Sequence, residues 1–184
     1  MSPESVAFSL FNHRLAGLLV VLLGVLGVVD ASASGKREWL KLLWPMPLIV
    51  LGIYLLLRSD APAWPPHIVE QMSNAEGVQH KIFAVLVLSL GGIDLLRRSG
   101  RLTHPIWNYL FYAVMLVAGI FLLFHGGHHS ALVRNEHAAM GVVAIAIVVA
   151  KVMADRKRTA RWLAVGVVPS LFILLGVQLL LYTE

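Results

Sequence analysis

Histidine is the residue type in this chain whose number and spacing could support chemistry. The chain has eight histidines and no cysteine. Neutral imidazole is a common ligand of copper, zinc and haem iron. The lack of cysteine excludes disulfides, thiolate metal sites and covalently attached c-type haem. The sequence therefore predicts that any transition metal is held by histidine, with methionine as a second soft ligand.

Three of these histidines recur at the same place in an internal repeat. Each opens an apolar segment and is followed 39 residues later by a glycine in a similar apolar segment: NHRLAGLLVV and LGIYLLL, QHKIFAVLVL and AGIFLLF, EHAAMGVVAI and LGVQLLL. A small residue lies four positions after each histidine, on the same helix face. Three equivalent hairpins around one axis would bring three imidazoles together, which is a site for copper or zinc. The repeated histidines are His13, His80 and His137.

A histidine-rich turn adds three more candidate ligands. The segment FHGGHH follows an apolar run, and its two glycines allow the chain to turn back after a helix. Short histidine-rich tracts are compositional signals of metal binding. The predicted metal ligands are therefore His13, His80, His125, His128, His129 and His137.

Three neighbouring residues are predicted to surround the ligands. Glu76 and Glu136 could neutralise a cation or orient a ligand histidine through its second nitrogen. Met140, three residues after His137, could offer a thioether to Cu(I). The alternative interpretation is structural: glutamate is also favoured near helix N-termini, and methionine packs readily in cores.

The elements that must position these residues are transmembrane helices. The chain of 184 residues is 58% hydrophobic and 14% charged, with a mean hydropathy of +0.78. Six apolar runs are long enough to span a bilayer, and a backbone in lipid must satisfy its own hydrogen bonds as a helix. We therefore expect an all-α integral membrane protein forming a single membrane domain over 1–184. Its six helices are predicted to be three repeated hairpins, at about 13–58, 80–125 and 137–182.

The basic residues predict the orientation. Eleven of them lie in the loops after the first, third and fifth helices and four on the other side, and basic loops face the cytoplasm. The cytoplasmic set is Lys36, Arg37, Lys41, Arg97, Arg98, Arg101, Lys151, Arg156, Lys157, Arg158 and Arg161. Both termini and all histidines except His104 are then outside. We expect the inner (plasma) membrane, with a periplasmic metal site, the bilayer as partner and no nucleic acid despite a pI near 9.9.

A family resemblance points the same way. The stretches GVQHKIFAVLVLSLGGIDLLRRSGRL, WNYLFYAVMLVAGIFLLFHGGHH and NEHAAMGVVAIAIVVAKVMADR, within residues 77–158, resemble the membrane portion of CopD/PcoD-type copper-resistance proteins. The matching positions are His80, His125 with His128, and His137. The chain departs from that pattern in the two glycines of the turn and in having six helices instead of eight. The resemblance implies copper, and a soluble periplasmic copper carrier as a further partner.

The function predicted from these patterns is copper binding for uptake, sequestration or delivery. One alternative is a redox protein with haem b, because NHRLAG at 12–17 is similar to the histidine-bearing helix starts of haem A synthases. Another is a membrane enzyme using three histidines and zinc, with a glutamate as general base. No catalytic residue is predicted. The sequence lacks GxGxxG, P-loop and Ser/His/Asp patterns, so nucleotide chemistry and serine hydrolysis have no support.

Overall fold

The computed structural model describes residues 3–32, 39–59, 68–73, 75–125, 130–156 and 161–183. Within these residues the regular secondary structure is all helical, and six helices are long and apolar enough to cross a membrane. They are numbered first to sixth here: Pro3–Ser32, Leu40–Arg58, Ala75–Arg98, Ile106–Phe124, Ala131–Arg156 and Leu163–Leu180. The prediction of an all-α membrane protein with six spanning helices is confirmed.

Two of the six helices have irregular first turns. The second begins as a short turn, Leu40–Leu43, and continues as Met46–Arg58 with Pro47 in its first turn, where a missing N–H costs little. The sixth begins as a π-helical turn, Leu163–Val167, and continues as Val168–Leu180. A separate short helix, Ile68–Gln71, precedes the third spanning helix.

The odd-numbered helices begin earlier than their apolar runs suggest. His13, His80 and His137 mark the starts of those runs, but the helices begin at Pro3, Ala75 and Ala131. Backbone hydrogen bonding continues through polar residues at the membrane boundary, so hydropathy alone places the start too late. Each repeated histidine therefore has a full helical turn before it, which matters for the site below.

The six helices form a closed ring. Each packs mainly on its two sequence neighbours, and the sixth returns to pack on the first. The most extensive contacts join the first helix to the sixth, the second to the third and the fourth to the fifth. Each helix of a predicted hairpin thus makes its most extensive contacts with a helix of the adjacent hairpin, and not with its own hairpin partner. These contacts link the three hairpins into the ring.

The glycines that lie 39 residues after the repeated histidines are points where neighbouring helices come close together. A Cβ on Gly52 would lie 2.7 Å from the backbone nitrogen of Leu88, and one on Gly176 the same distance from that of Val21. A Cβ on Gly119 would lie 3.3 Å from the nitrogen of Ile145. Each contacted residue is eight positions after a repeated histidine. The same contact therefore recurs from each hairpin to the next, and from the third back to the first.

Ion pairs hold the end of the ring opposite the repeated histidines, called the basic end below. Asp94, in the third helix, is 3% exposed and bonds to Arg97 at 3.0 Å and Arg98 at 2.5 Å. Arg98 also bonds to Asp30 of the first helix at 2.5 Å, and its guanidinium carbon lies 4.8 Å from the ring centre of Trp44. One arginine thus connects the first three helices, and the charge of Asp94 inside an apolar segment is compensated.

Two adjacent glycines test the importance of close backbone contact. A Cβ on Gly91 would lie 2.9 Å from the backbone nitrogen of Ile49, whereas one on Gly92 would meet nothing within 4 Å. We expect Gly91→Ala to lower the free energy of unfolding by about 1–3 kcal/mol through overpacking. Gly92→Ala should raise it by up to about 1 kcal/mol, because alanine favours helix.

The measurement is thermal unfolding of both variants in the same detergent, followed by tryptophan fluorescence. Equal effects of the same sign in the two variants would contradict the assignment of Gly91 to a tight interface.

Candidate functional site

Four histidines from four helices meet at the end of the ring opposite the basic end. His13, His80 and His137 project from the first, third and fifth helices, and His125 follows the last residue of the fourth. Ring centres are 4.9 Å apart for His125 and His137, 5.1 Å for His80 and His125, and 5.7 Å for His13 and His137. Four of the six predicted metal ligands therefore lie near one another, and their role as ligands stays a prediction. We call them the histidine cluster.

The backbone before two of these histidines determines their tautomer. Nδ1 of His13 lies 2.9 Å from the carbonyl oxygen of Ser9, and Nδ1 of His137 lies 2.9 Å from that of Val133. A carbonyl oxygen only accepts hydrogen bonds, so Nδ1 carries the proton in the neutral ring. The lone pair is then on Nε2. These bonds are possible because the helices begin a turn or more before the histidines.

Tyr182 is part of the cluster, although sequence reasoning did not select it. Its ring stacks on His13 with centres 3.8 Å apart, and it meets the edge of His137 at 5.5 Å. It is 2% exposed. The repeat could have revealed it, because Tyr182 lies six residues after Gly176, as His125 lies six after Gly119. The fourth and sixth helices thus contribute a histidine and a tyrosine from equivalent positions.

A buried polar network adjoins the cluster between the first three helices. Asn12 donates to the carbonyl oxygen of Ser59 at 3.0 Å and accepts from the hydroxyl of Tyr54 at 2.7 Å. Lys81, 5% exposed, donates to the hydroxyl oxygen of Ser59 at 2.7 Å and to the side-chain oxygen of Gln71 at 2.5 Å. The network holds the short helix before the third spanning helix against the ring. Sequence reasoning missed it, because its members share no motif.

The residues predicted to surround the ligands have different positions. The carboxylate of Glu136 accepts from the hydroxyl of Thr183 at 3.2 Å, so it holds the chain after the sixth helix. Met140 is 2% exposed and packs with Val133 and Tyr182 beneath the cluster. Glu76 lies in the first turn of the third helix.

Three other histidines bear on the prediction. His128 and His129, both predicted ligands, lie outside the described residues. His104 lies at the basic end, as predicted, and its Nδ1 accepts from the backbone N–H of Ile106 at 3.2 Å. That bond satisfies a donor in the first turn of the fourth helix, so His104 has a structural partner.

The cluster closes one end of a cavity of about 170 Å³ that runs down the centre of the ring. His13, His80, His125 and His137 line it at one end, and Leu23, Leu90 and Ile147 line it deeper in the bundle. Within the described residues, no three histidine, aspartate or glutamate side chains are arranged to hold a metal ion as they stand. The structure therefore brings imidazoles together above an apolar cavity without a preformed coordination set.

Comparison with known proteins gives one family. The family model of the LiaF transmembrane domain matches residues 15–130, well over half of the chain. No curated protein and no solved structure matches. The matched range contains His80 and His125 and the first four helices except the start of the first; His13 and His137 lie outside it.

The resemblance to CopD/PcoD-type proteins is therefore wrong. It relied on histidines at the ends of apolar helices, a pattern that many membrane proteins share, over less than half of the chain. The LiaF match covers a longer range that includes the second helix and both of its flanking loops. The six apolar helices and this match both indicate a multi-pass membrane protein. The chain belongs to the LiaF transmembrane-domain family.

Proposed function

We propose that this protein binds copper through the histidine cluster. The observation that carries the proposal is the meeting of four imidazoles from four different helices, with ring centres 4.9–5.7 Å apart in neighbouring pairs. Two imidazoles on one tetrahedral metal have ring centres about 5 Å apart, because each metal–nitrogen bond is about 2 Å long. The spacing of the helices is thus suited to a shared ion.

The tautomers of His13 and His137 also support ligation. A ligand histidine commonly donates its second ring N–H to a backbone carbonyl or a carboxylate, and this orients the ring and increases its basicity. Both histidines make such a bond four residues back along their own helix. Each could then offer Nε2 to a metal after its ring rotates, and for His13 the stacked ring of Tyr182 would have to move as well.

Those rotations are a requirement of the proposal. Since the described side chains do not form a three-ligand site as they stand, the imidazoles must turn about χ1 and χ2 when the ion enters. The cavity beneath them leaves room for this movement. His128 and His129 remain candidate ligands from the sequence.

The ligand types favour copper among the transition metals. Imidazole suits both copper and zinc, and a thioether is a ligand for Cu(I). Met140 lines the cavity directly beneath the histidines, and the chain has no cysteine. A copper site built from histidine and methionine is consistent with this composition.

The proposed setting is the periplasmic side of the inner (plasma) membrane. Arg97, Arg98 and Lys151 lie at the end of the helices opposite the cluster, and the positive-inside rule assigns that end to the cytoplasm. The walls of the cavity below the cluster are apolar. A charged ion crosses such a region at high cost, which favours sequestration or delivery, for example to a soluble carrier, over conduction through the ring.

Metal analysis and a visible spectrum test the proposal. We expect about one copper per chain in detergent-purified protein from cells supplied with copper and haem precursors, and no Soret band. A Soret band with haem iron would replace copper by haem b. Zinc alone would favour the alternative of a zinc-dependent membrane enzyme, and no metal at all would overturn metal binding.

Histidine variants locate the site. We expect His80→Ala and His137→Ala each to reduce bound copper by at least tenfold, because each removes a ligand and enlarges the cavity. His104→Ala is the matched control and should keep full copper content, since that imidazole lies at the basic end.

Copper content is measured after size-exclusion chromatography, so that unfolded protein is excluded. Retention of copper in both cluster variants, or equal loss in all three, would contradict a site at the histidine cluster.

A further inference from the structure

The central cavity has features that metal binding does not use. We propose that it binds the apolar chain of a single-chain amphiphile, whose hydrogen-bonding head lies among the residues of the histidine cluster. This inference does not require copper, because the apolar chain lies below the imidazoles and the head would occupy the histidine cluster in the absence of an ion. Its three supports are the lining of the cavity, its depth and its polarity.

The odd-numbered helices line the cavity with three equivalent layers. Residues three, seven and ten positions after each repeated histidine face it, and all are apolar. The first layer is Ala16, Phe83 and Met140; the second is Val20, Val87 and Ala144; the third is Leu23, Leu90 and Ile147. The spacing of three and four residues keeps each set on one face of its helix.

The even-numbered helices complete the same walls. Residues four before, one before and three after each repeated glycine also line the cavity. These are Leu48, Met115 and Phe172; Leu51, Ala118 and Leu175; and Leu55, Leu122 and Leu179. All six helices thus contribute apolar side chains to a central space instead of closing it.

The depth of the cavity matches one leaflet of a bilayer. From His80 to Leu90 the third helix advances about 15 Å, at about 1.5 Å per residue. The hydrocarbon core of a membrane is about 30 Å thick, so each leaflet contributes about half of this. A cavity that begins near one surface and ends at mid-membrane has the length of an extended acyl tail.

Polar groups are confined to the end of the cavity at the cluster. Besides the four histidines, the polar residues that line it are Ser9, Asn12 and Ser59, all near that end. The cavity is therefore amphipathic in the same sense as a fatty acid or a fatty alcohol. Hydrogen-bonding groups would meet the head, and the layers of apolar side chains would surround the tail.

An apolar occupant also fits the physical chemistry of the space. Protein interiors are close-packed, and voids much larger than a water molecule are few. An apolar space of this size, about 170 Å³, offers water few hydrogen-bonding partners and favours an apolar molecule. An ion is unsuited to the lower part, since none of the described residues lines it there with a polar side chain.

A photoreactive fatty acid with a diazirine at the end of its chain tests the proposal. The protein is reconstituted in nanodiscs of two-chain lipid after treatment with a chelator, so that neither copper nor detergent takes part. We expect labelling near Leu23, Leu90 and Ile147 that dodecanoic acid and dodecanol compete away. Dodecane, which has no head, should compete at least tenfold more weakly.

Variants that fill the cavity provide the matched comparison. Ala16→Phe introduces the residue that the third helix has at the equivalent position, Phe83, and should reduce cavity labelling at least tenfold. Ala118→Leu, which copies Leu51 and Leu175, is a second filling variant in case the first fails to fold. Leu18→Phe, at a position that is 59% exposed on the outer face of the first helix, should leave labelling unchanged.

Three results would overturn the proposal. They are labelling restricted to outward-facing residues, labelling unaffected by excess dodecanoic acid, and equal labelling of the filling variants and the Leu18→Phe control. Equal competition by dodecane and dodecanoic acid would overturn the role of the head. Copper content is measured separately, on protein that has not been treated with a chelator, so failure of copper binding does not affect the labelling result.

Discussion

Close backbone contact at glycine is the constraint on which the remainder of the structure depends. In lipid, apolar side chains gain little by leaving their surroundings, so helices associate where small residues let backbones approach and dispersion contacts accumulate. Gly52, Gly119 and Gly176 provide such contacts at equal intervals along the chain, each against the next hairpin. Because the contact of Gly176 is with the first helix, the series closes on itself. The ring, its central cavity and the position of every repeated histidine follow from that closure.

The histidine cluster combines symmetric and asymmetric features of this ring. His13, His80 and His137 occupy equivalent places, whereas the residues six positions after the glycines of the even-numbered helices differ and are Arg58, His125 and Tyr182. Only one of these three positions adds an imidazole, and Tyr182 instead stacks on His13. One side of the cluster, near His125 and His137, is therefore rich in imidazole, and on the other side the ring of Tyr182 stacks on His13. A repeat thus supplied the framework, and differences between its copies determine which side chains meet at the cluster.

The two proposals share one cavity: a metal or a polar head would lie at the histidine cluster, and an acyl chain below it. Imidazoles with their lone pairs on Nε2 are suited to a metal, and the layers of leucine, valine and isoleucine below them are suited to an acyl chain. The match to the LiaF transmembrane-domain family covers residues 15–130 and stops before the fifth helix. The complete cluster needs His13 and His137 as well, and both lie outside that range.

The sequence by itself determined the helices and much of the cluster. Long apolar runs must be helical in a membrane, and the interval from His13 to Gly52, repeated twice, predicted which histidines would share a level. The tertiary structure determined the contacts between distant residues, which a sequence repeat does not reveal. The pairing of Gly176 with Val21 depends on how the ring closes, and the stack of Tyr182 on His13 joins residues at opposite ends of the chain. The Nδ1 bonds of His13 and His137 required helices that begin before the apolar runs do, because hydropathy records lipid contact and not where backbone hydrogen bonding starts.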